Sequence, residues 1–150
     1  MLELEGRTVV VTGAAGGIGA VVARMAAERG ARLLLIDLGA DRLDRLVASL
    51  PGTGHAKTVS SLDSPQACAT ALAAIDGPLY GLVHMAGIYV PHDLTPGARE
   101  TYDRTLAANT TNGFDLVCAM RERLTTNEPA RLVFASSQAF RRGSIGHVAY

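Results

Sequence analysis

Thr8-Val9-Val10-Val11-Thr12-Gly13-Ala14-Ala15-Gly16-Gly17-Ile18-Gly19 is the stretch from which the fold can be read. The β-branched run Val9 to Thr12 has the composition of a strand buried on both faces. It leads straight into three spaced glycines, Gly13, Gly17 and Gly19, and then into a helical pattern. Glycine is needed where a chain turns sharply or where its backbone must approach a ligand closely, because a Cβ would collide. A helix beginning near Gly17 aims its unpaired N–H groups and positive dipole end back at the turn, which makes an anion site. Glycines alone would indicate only a turn. A strand, a glycine turn and a helix N-terminus in that order predict a pyrophosphate cradle.

The pattern Thr12-Gly13-x-x-x-Gly17-Ile18-Gly19 resembles the glycine signature of the short-chain dehydrogenase/reductase family. The resemblance implies a Rossmann-type, doubly wound α/β fold that holds NAD(P) and moves a hydride between nicotinamide and a carbonyl or alcohol substrate. It also implies that the backbone around Gly13, Gly17, Ile18 and Gly19 receives the cofactor.

Composition agrees with an enzyme domain of that size. The 150 residues suffice for one domain with a real core, here an NAD(P)-binding domain over residues 1–150. Hydrophobic residues make up 48% and charged residues 19%, a globular balance. The 14 basic and 14 acidic residues are mixed along the chain and give no net charge. Without a basic block or aromatic-basic interleaving, nucleic acid is not the expected partner. No apolar run approaches a membrane span, and the opening Met1-Leu2-Glu3-Leu4-Glu5 does not read as a signal peptide. Cys68 and Cys118 lack metal-ligand spacing, so no metal is expected and both read as small buried hydrophobes. A soluble cytoplasmic protein follows by default.

Alternating elements extend the pattern. Helix one should run from about Gly17 to Arg29 with Ile18, Val21, Val22 and Met25 on its apolar face, and Gly30 should stop it. Leu33 to Ile36 is the second strand, ending in Asp37, and a right-handed crossover sets it parallel to the first. Asp37 stands about 20 residues past Gly17, where a carboxylate can accept hydrogen bonds from both hydroxyls of an adenosine ribose and repel a 2′-phosphate. Ala15, Gly16 and Leu38, which could instead welcome that phosphate, carry no Arg or Lys, so NAD is expected over NADP. A structural role for Asp37 as a helix cap is the plainer alternative, although Asp41 suits that job better. The next helix covers Asp41 to Leu50, a short third strand Ala56 to Val59, and Ser64-Pro65 is a strong helix start. Leu79 to Met85 is the fourth strand, Tyr89 to Arg99 a loop, Glu100 to Leu124 a long helix that carries Leu106, Phe114, Val117 and Met120, and Pro129 to Ser136 the fifth strand. The resulting sheet order is 3-2-1-4-5, without the later strands of a complete family domain.

Four further places carry the resemblance. Before the Ser64-Pro65 helix start the family has Asp-Val, whose Asp holds the adenine amino group; here Ser61-Leu62 stands there, which leaves the Leu62 N–H, or Asp63 if the register slips. At the end of strand four the family has Asn-Asn-Ala-Gly, small residues that let the strand pass beside the cofactor. Ala86 and Gly87 match and His84 and Met85 do not, and His84 reads as an interior or pocket-edge residue. Ser137 and Tyr150 keep the family's interval between its catalytic Ser and Tyr. Asn109 keeps the interval to Ser137 together with an aromatic at Phe114, which the nearby Asn112 does not.

The implied roles have a physical basis. Tyr150 would be general acid in reduction and base in oxidation; an unperturbed tyrosine, with pKa about 10, needs a neighbouring cation for that work. Ser137 would hydrogen-bond the substrate oxygen, and Asn109 would hold a water that passes the proton on. In the family the cation is a Lys four residues after the Tyr, which would be position 154, beyond the last residue of this sequence. On this reading the chain is the amino-terminal part of an NAD(P)-dependent oxidoreductase, inactive as 150 residues, out of the ~250 typical of such a domain. The alternatives are a dinucleotide-binding module without catalysis and a nonfunctional truncated product. By itself the chain is expected to aggregate or stay partly molten, because strand five would be a naked edge. Tyr89–Arg99 and Phe140–His147 hold part of the substrate determinants, and sugar alcohols, steroids, acyl thioesters and small hydroxy acids are all admissible. The resemblance further implies a homo-oligomer at full length.

Overall fold

Val9, Val10 and Val11 form the centre of the first strand, β1 (Thr8–Thr12), and all five of its residues are buried. In the computed structural model, which describes residues 4–150 apart from the side chain of Phe140, β1 is the middle of a five-stranded parallel sheet. Met1, Leu2 and Glu3, part of the opening segment read above as no signal peptide, lie outside these residues. After β1 come α1 (Gly17–Ala27), β2 (Arg32–Asp37), α2 (Ala40–Ser49), β3 (Ala56–Val59), α3 (Pro65–Leu72) and β4 (Gly81–His84). Then follow α4 (Arg99–Leu106), a π-helical turn (Ala107–Thr111), α5 (Asn112–Met120), β5 (Arg131–Phe134) and the short α6 (Ala139–Arg142). The strand order is β3-β2-β1-β4-β5, as the sequence predicts.

Period-two alternation divides the core between the two faces of the sheet. Val9, Val11, Leu33 and Leu35 face α1 and α2, where Ala23, Leu43 and Leu46 cover them. Val10, Leu34, Ile36 and Leu82 face α3 and α5, where Cys68, Leu72, Leu116 and Met120 close the second layer. The Ser64 hydroxyl caps α3 by accepting the Ala67 N–H at 3.2 Å, with Pro65 at the first helical position. Gly30, at φ +86°, ends the turn after α1. Among the described residues no helix is long and apolar enough to cross a membrane.

Five expectations are corrected. The buried face of α1 is Gly19, Ala23, Ala26 and Ala27, while Ile18, Val21 and Met25 are 67%, 57% and 47% exposed. Both sets keep helical spacing; the small set wins because it lets the helix axis lie close against β1 and β2. The larger side chains Val22 and Met25 instead line an apolar groove with Tyr80, Leu82 and Val133. The long helix is continuous in course but broken in hydrogen bonding by the π turn, whose extra residue rotates everything after it. Phe114 consequently points outward, and Asn112, Gly113, Leu116 and Met120 point in. Asp41 is not a cap: α2 begins after Gly39 and no side chain caps it. Cys118 is exposed; only Cys68 is buried, and burial, with Asp115 and Asp63 adding to it, pushes that thiol up to about 11. The fourth and fifth strands are shorter than read. β5 stands at the sheet edge with all four residues exposed.

Ala23→Leu should therefore destabilise the full-length protein by about 1–3 kcal/mol through overpacking. Val21→Ala should change stability by less than about 0.5 kcal/mol. Urea denaturation distinguishes these; the reverse order would restore the bulkier face as the buried one.

Candidate functional site

The end of β1 sets the site. Gly13 has φ +60°, and a Cβ there would stand 2.7 Å from the Met85 carbonyl oxygen, so only glycine lets β1 and the segment after β4 meet. Gly16 N–H closes the turn on Gly13 O at 3.0 Å. A Cβ on Gly19 would lie 2.1 Å from that same Gly13 oxygen. Gly17 has open space where its Cβ would be, and Ile18 beside it is exposed. No side chain caps α1, so its first N–H groups are available to an anion at the mouth of the turn.

Asp37 ends β2 facing this turn. Its Oδ2 accepts the Ala15 N–H at 3.0 Å, and its Oδ1 accepts the Gly39 N–H at 3.0 Å. The carboxylate thus ties the glycine turn to the start of α2. Its bond to the Gly39 N–H is a local structural role, although Asp37 is not the side-chain cap of α2 that the sequence left as an alternative. Arg42, on the first turn of α2, brings Nη2 to 3.4 Å of Oδ1. The sequence reading missed Arg42; its signal is the one-turn spacing from Gly39, which turns it back towards Asp37. A cavity of about 300 Å³ joins Gly13, Gly16, Asp37, Arg42, Leu62 and the run Met85–Ile88. Leu62 is buried in an unusual non-glycine left-handed conformation, φ +54°. Its N–H, expected to face adenine, is instead donated to Ser60 Oγ at 3.2 Å, because the tight loop satisfies its own donor. Leu62 therefore lines the cavity without offering that donor.

A second cavity of about 390 Å³ lies on the other side of Met85–Ile88 and is lined by Asn109, Ser137 and Tyr150. The three residues selected by interval in the sequence are thus gathered around one space. Asn109, inside the π turn, grips Ile88 twice: Oδ1 accepts its N–H at 2.7 Å and Nδ2 donates to its carbonyl at 2.9 Å. Gly87 must be glycine here, since a Cβ would come within contact of Asn109 Oδ1. Ser137 follows β5 and its Oγ accepts the Ala139 N–H at 3.2 Å. Tyr150 packs edge-on against the Tyr89 ring, with centroids 4.7 Å apart.

The two segments expected to shape the substrate end do meet. Tyr89 stacks on His147 at 3.8 Å between centroids, and its hydroxyl lies 2.6 Å from Ser144 Oγ. His84 is buried between Thr12 and Asn112, and desolvation lowers its pKa from the ordinary 6.5, partly offset by the Asn112 hydrogen bond. Asn112, passed over in favour of Asn109, is the residue that sequence intervals could not reveal, because its partner lies on β4. Among the described residues no three His, Cys, Asp or Glu side chains gather as a metal site.

The family model for short chain dehydrogenase matches residues 7–150. D-threitol dehydrogenase of Mycolicibacterium smegmatis is 36% identical over 153 residues, which cover 99% of this chain and 59% of that enzyme. Dehydrogenase/reductase SDR family member 13 of Bos taurus is 35% identical, over 97% of this chain and 39% of that protein. Among solved structures, a short-chain dehydrogenase/reductase of Brucella melitensis, described as a glucose/ribitol dehydrogenase, superposes with a TM-score of 0.89 at 30% identity. It covers 99% of this chain and 64% of its own. This chain therefore spans less than two thirds of each of these relatives.

Gly19→Ala tests the turn. The added Cβ should cost about 1–3 kcal/mol in stability by overpacking against Gly13, seen as a lower midpoint in urea. Unchanged stability would mean that α1 can retreat from β1 freely.

Proposed function

The chain belongs to the short-chain dehydrogenase family, and from that premise we propose that it carries the cofactor site, the catalytic Ser137 and Tyr150 and the positioning Asn109 of an NAD-dependent alcohol–carbonyl oxidoreductase. The observation that carries this reading is the shared wall. Met85–Ile88 lines the cavity beside Asp37 and the glycine turn, and the same four residues line the cavity of Asn109, Ser137 and Tyr150.

The residues present fit a dinucleotide. The uncapped start of α1 and the open space over Gly17 suit a pyrophosphate. The Asp37 carboxylate suits the two hydroxyls of an adenosine ribose, which favours NAD, and Arg42 balances part of its charge. When bound, a nicotinamide dinucleotide would supply the hydride chemistry at the substrate carbon. Tyr150 gives the proton to, or takes it from, the substrate oxygen. Ser137 orients that oxygen. The Asn109 side chain is engaged with Ile88, so it acts by fixing this wall.

The substrate we infer is a small polyol or hydroxy ketone. Tyr89, Ser137 and Ser144 line a third cavity together with Tyr150, and the D-threitol dehydrogenase relative is named for such a substrate. The partner is this small molecule rather than nucleic acid, and the setting is cytoplasmic. The outward Phe114, 68% exposed on α5, supports pairing with a second copy at full length.

The test uses the full-length protein with NAD and four- to six-carbon polyols. Tyr150→Phe should lower kcat by about 10²–10⁴-fold while the dinucleotide Kd stays within about twofold. NADH should bind more tightly than NADPH. Wild-type turnover in Tyr150→Phe would remove Tyr150 from the chemistry, and tighter NADPH binding would remove the NAD preference.

A further inference from the structure

The family's Asn-Asn-Ala-Gly is replaced here by His84-Met85-Ala86-Gly87, and the side chains around His84 form a closed hydrogen-bond chain. A threonine hydroxyl has one proton to give and two lone pairs to offer. Thr12 Oγ1 accepts the Met85 N–H at 3.1 Å and the Ala86 N–H at 3.0 Å, and it lies 2.9 Å from His84 Nδ1. With both lone pairs taken, the Thr12 proton must go to Nδ1, which therefore bears none. At the other edge of the ring, His84 Nε2 is 3.2 Å from Asn112 Oδ1, and Asn112 Nδ2 donates to the Ala108 carbonyl at 2.8 Å. Asn112 is thereby oriented with its oxygen towards the ring, so Nε2 bears the proton. One tautomer, neutral and protonated at Nε2, satisfies every member of the chain.

We propose that His84 is a positioning residue for dinucleotide binding: the neutral ring holds the Thr12 hydroxyl as acceptor for Met85 and Ala86, fixes the wall shared by the two cavities, and makes cofactor affinity depend on its own protonation. The proposal deepens the oxidoreductase reading and rests on it. A second proton on Nδ1 would confront the Thr12 O–H. The hydroxyl would have to rotate and give one lone pair to the imidazolium, which releases Met85 N–H or Ala86 N–H. The freed peptide belongs to the wall against which the cofactor would lie.

The surroundings favour the neutral ring. The ring is faced by Thr12 from β1, Asn112 from α5 and Phe134 from β5, whose ring is tilted 53° at 5.5 Å, and none of these is charged. Gly113 completes the seat, since a Cβ there would stand 3.2 Å from Nε2 and 2.9 Å from the Phe134 ring. The titratable and charged side chains on the two cavities are Asp37, Arg42, Tyr89 and Tyr150, and Cys68 lies behind Asn112; among the described residues the ring's side-chain hydrogen bonds go to Thr12 and Asn112 alone. Burial lowers the His84 pKa from 6.5, so the ring is neutral at neutral pH and the network opens only in acid. The folded state loses stability on the same side: stability is full above the unfolded-state value of 6.5 and falls as pH drops from there towards the lowered folded-state value.

The experiment is calorimetric titration of the full-length protein with ADP-ribose, which lacks the nicotinamide and so avoids groups at the substrate end. From about pH 8 down to about pH 4.5 the wild-type Kd should rise about fivefold or more, with the rise falling below the ordinary histidine value of 6.5. In His84→Asn, whose amide can still accept from Thr12 but cannot gain a proton, the rise should shrink to less than about threefold. His84→Phe, which fills the space without an acceptor, should bind about tenfold more weakly than wild type even at pH 8. A His84→Asn profile as steep as wild type, or His84→Phe binding as tightly as wild type at pH 8, would overturn the proposal and leave the oxidoreductase reading intact. A folded wild type that binds no ADP-ribose at pH 8 would overturn that reading, and this proposal with it.

Discussion

The contact between the Gly13 backbone and the Met85 carbonyl governs the geometry of the site. The ends of β1 and β4 can approach this closely only because position 13 has no Cβ and adopts φ +60°. Once they meet, the Thr12 hydroxyl can reach across and accept two peptide N–H groups from the chain leaving β4. A buried peptide left without an acceptor costs about 1–3 kcal/mol, so the threonine and the glycine beside it are energetically coupled. From this one junction the chain diverges into two cavities with a common wall.

Small residues serve the same end on the helix. Gly19, Ala23, Ala26 and Ala27 bring α1 down onto the sheet, which places its N-terminal N–H groups at the level of the β1 end. Bulkier side chains on that face would raise the helix axis and move its dipole end away from the turn. The larger apolar residues, Val22 and Met25, are displaced to the flank, where they border the groove next to β4 and β5. The position of an anion site thus explains why the most hydrophobic face of α1 is not its buried one.

That displacement also marks the limit of what the residues reveal by themselves. Strand runs, the Ser64-Pro65 start and the sheet order are local or follow from connection rules, and each is legible along the chain. The Asn109, Ser137 and Tyr150 set is legible because intervals carry it, and the three do converge on one cavity. Periodicity counts hydrophobicity but not proximity, so it chose Ile18, Val21 and Met25 over glycine and alanine. It also assumes an unbroken repeat, and the π turn at Ala107–Thr111 shifts that repeat and turns Phe114 outward. Leu62 and Asn112 depend on a loop's own hydrogen bonds or on a partner remote in sequence, and no local pattern contains that information.

The π turn links these observations. Asn109 and Asn112, on either side of its end, hold successive pieces of one strand exit: Asn109 takes both polar groups of Ile88, and Asn112 takes His84. In between, Thr12 takes Met85 and Ala86, and Gly87 lies flat against the Asn109 side chain. Each residue from His84 to Ile88 is therefore fixed by a hydrogen bond or a close contact to β1, the π turn or α5. A wall held at every residue cannot shift on one side without shifting on the other, so the cavity by Asp37 and the cavity of Ser137 and Tyr150 respond as one body. Replacing the family's Asn by a titratable ring at the first of these residues puts proton-dependent chemistry at the root of that wall.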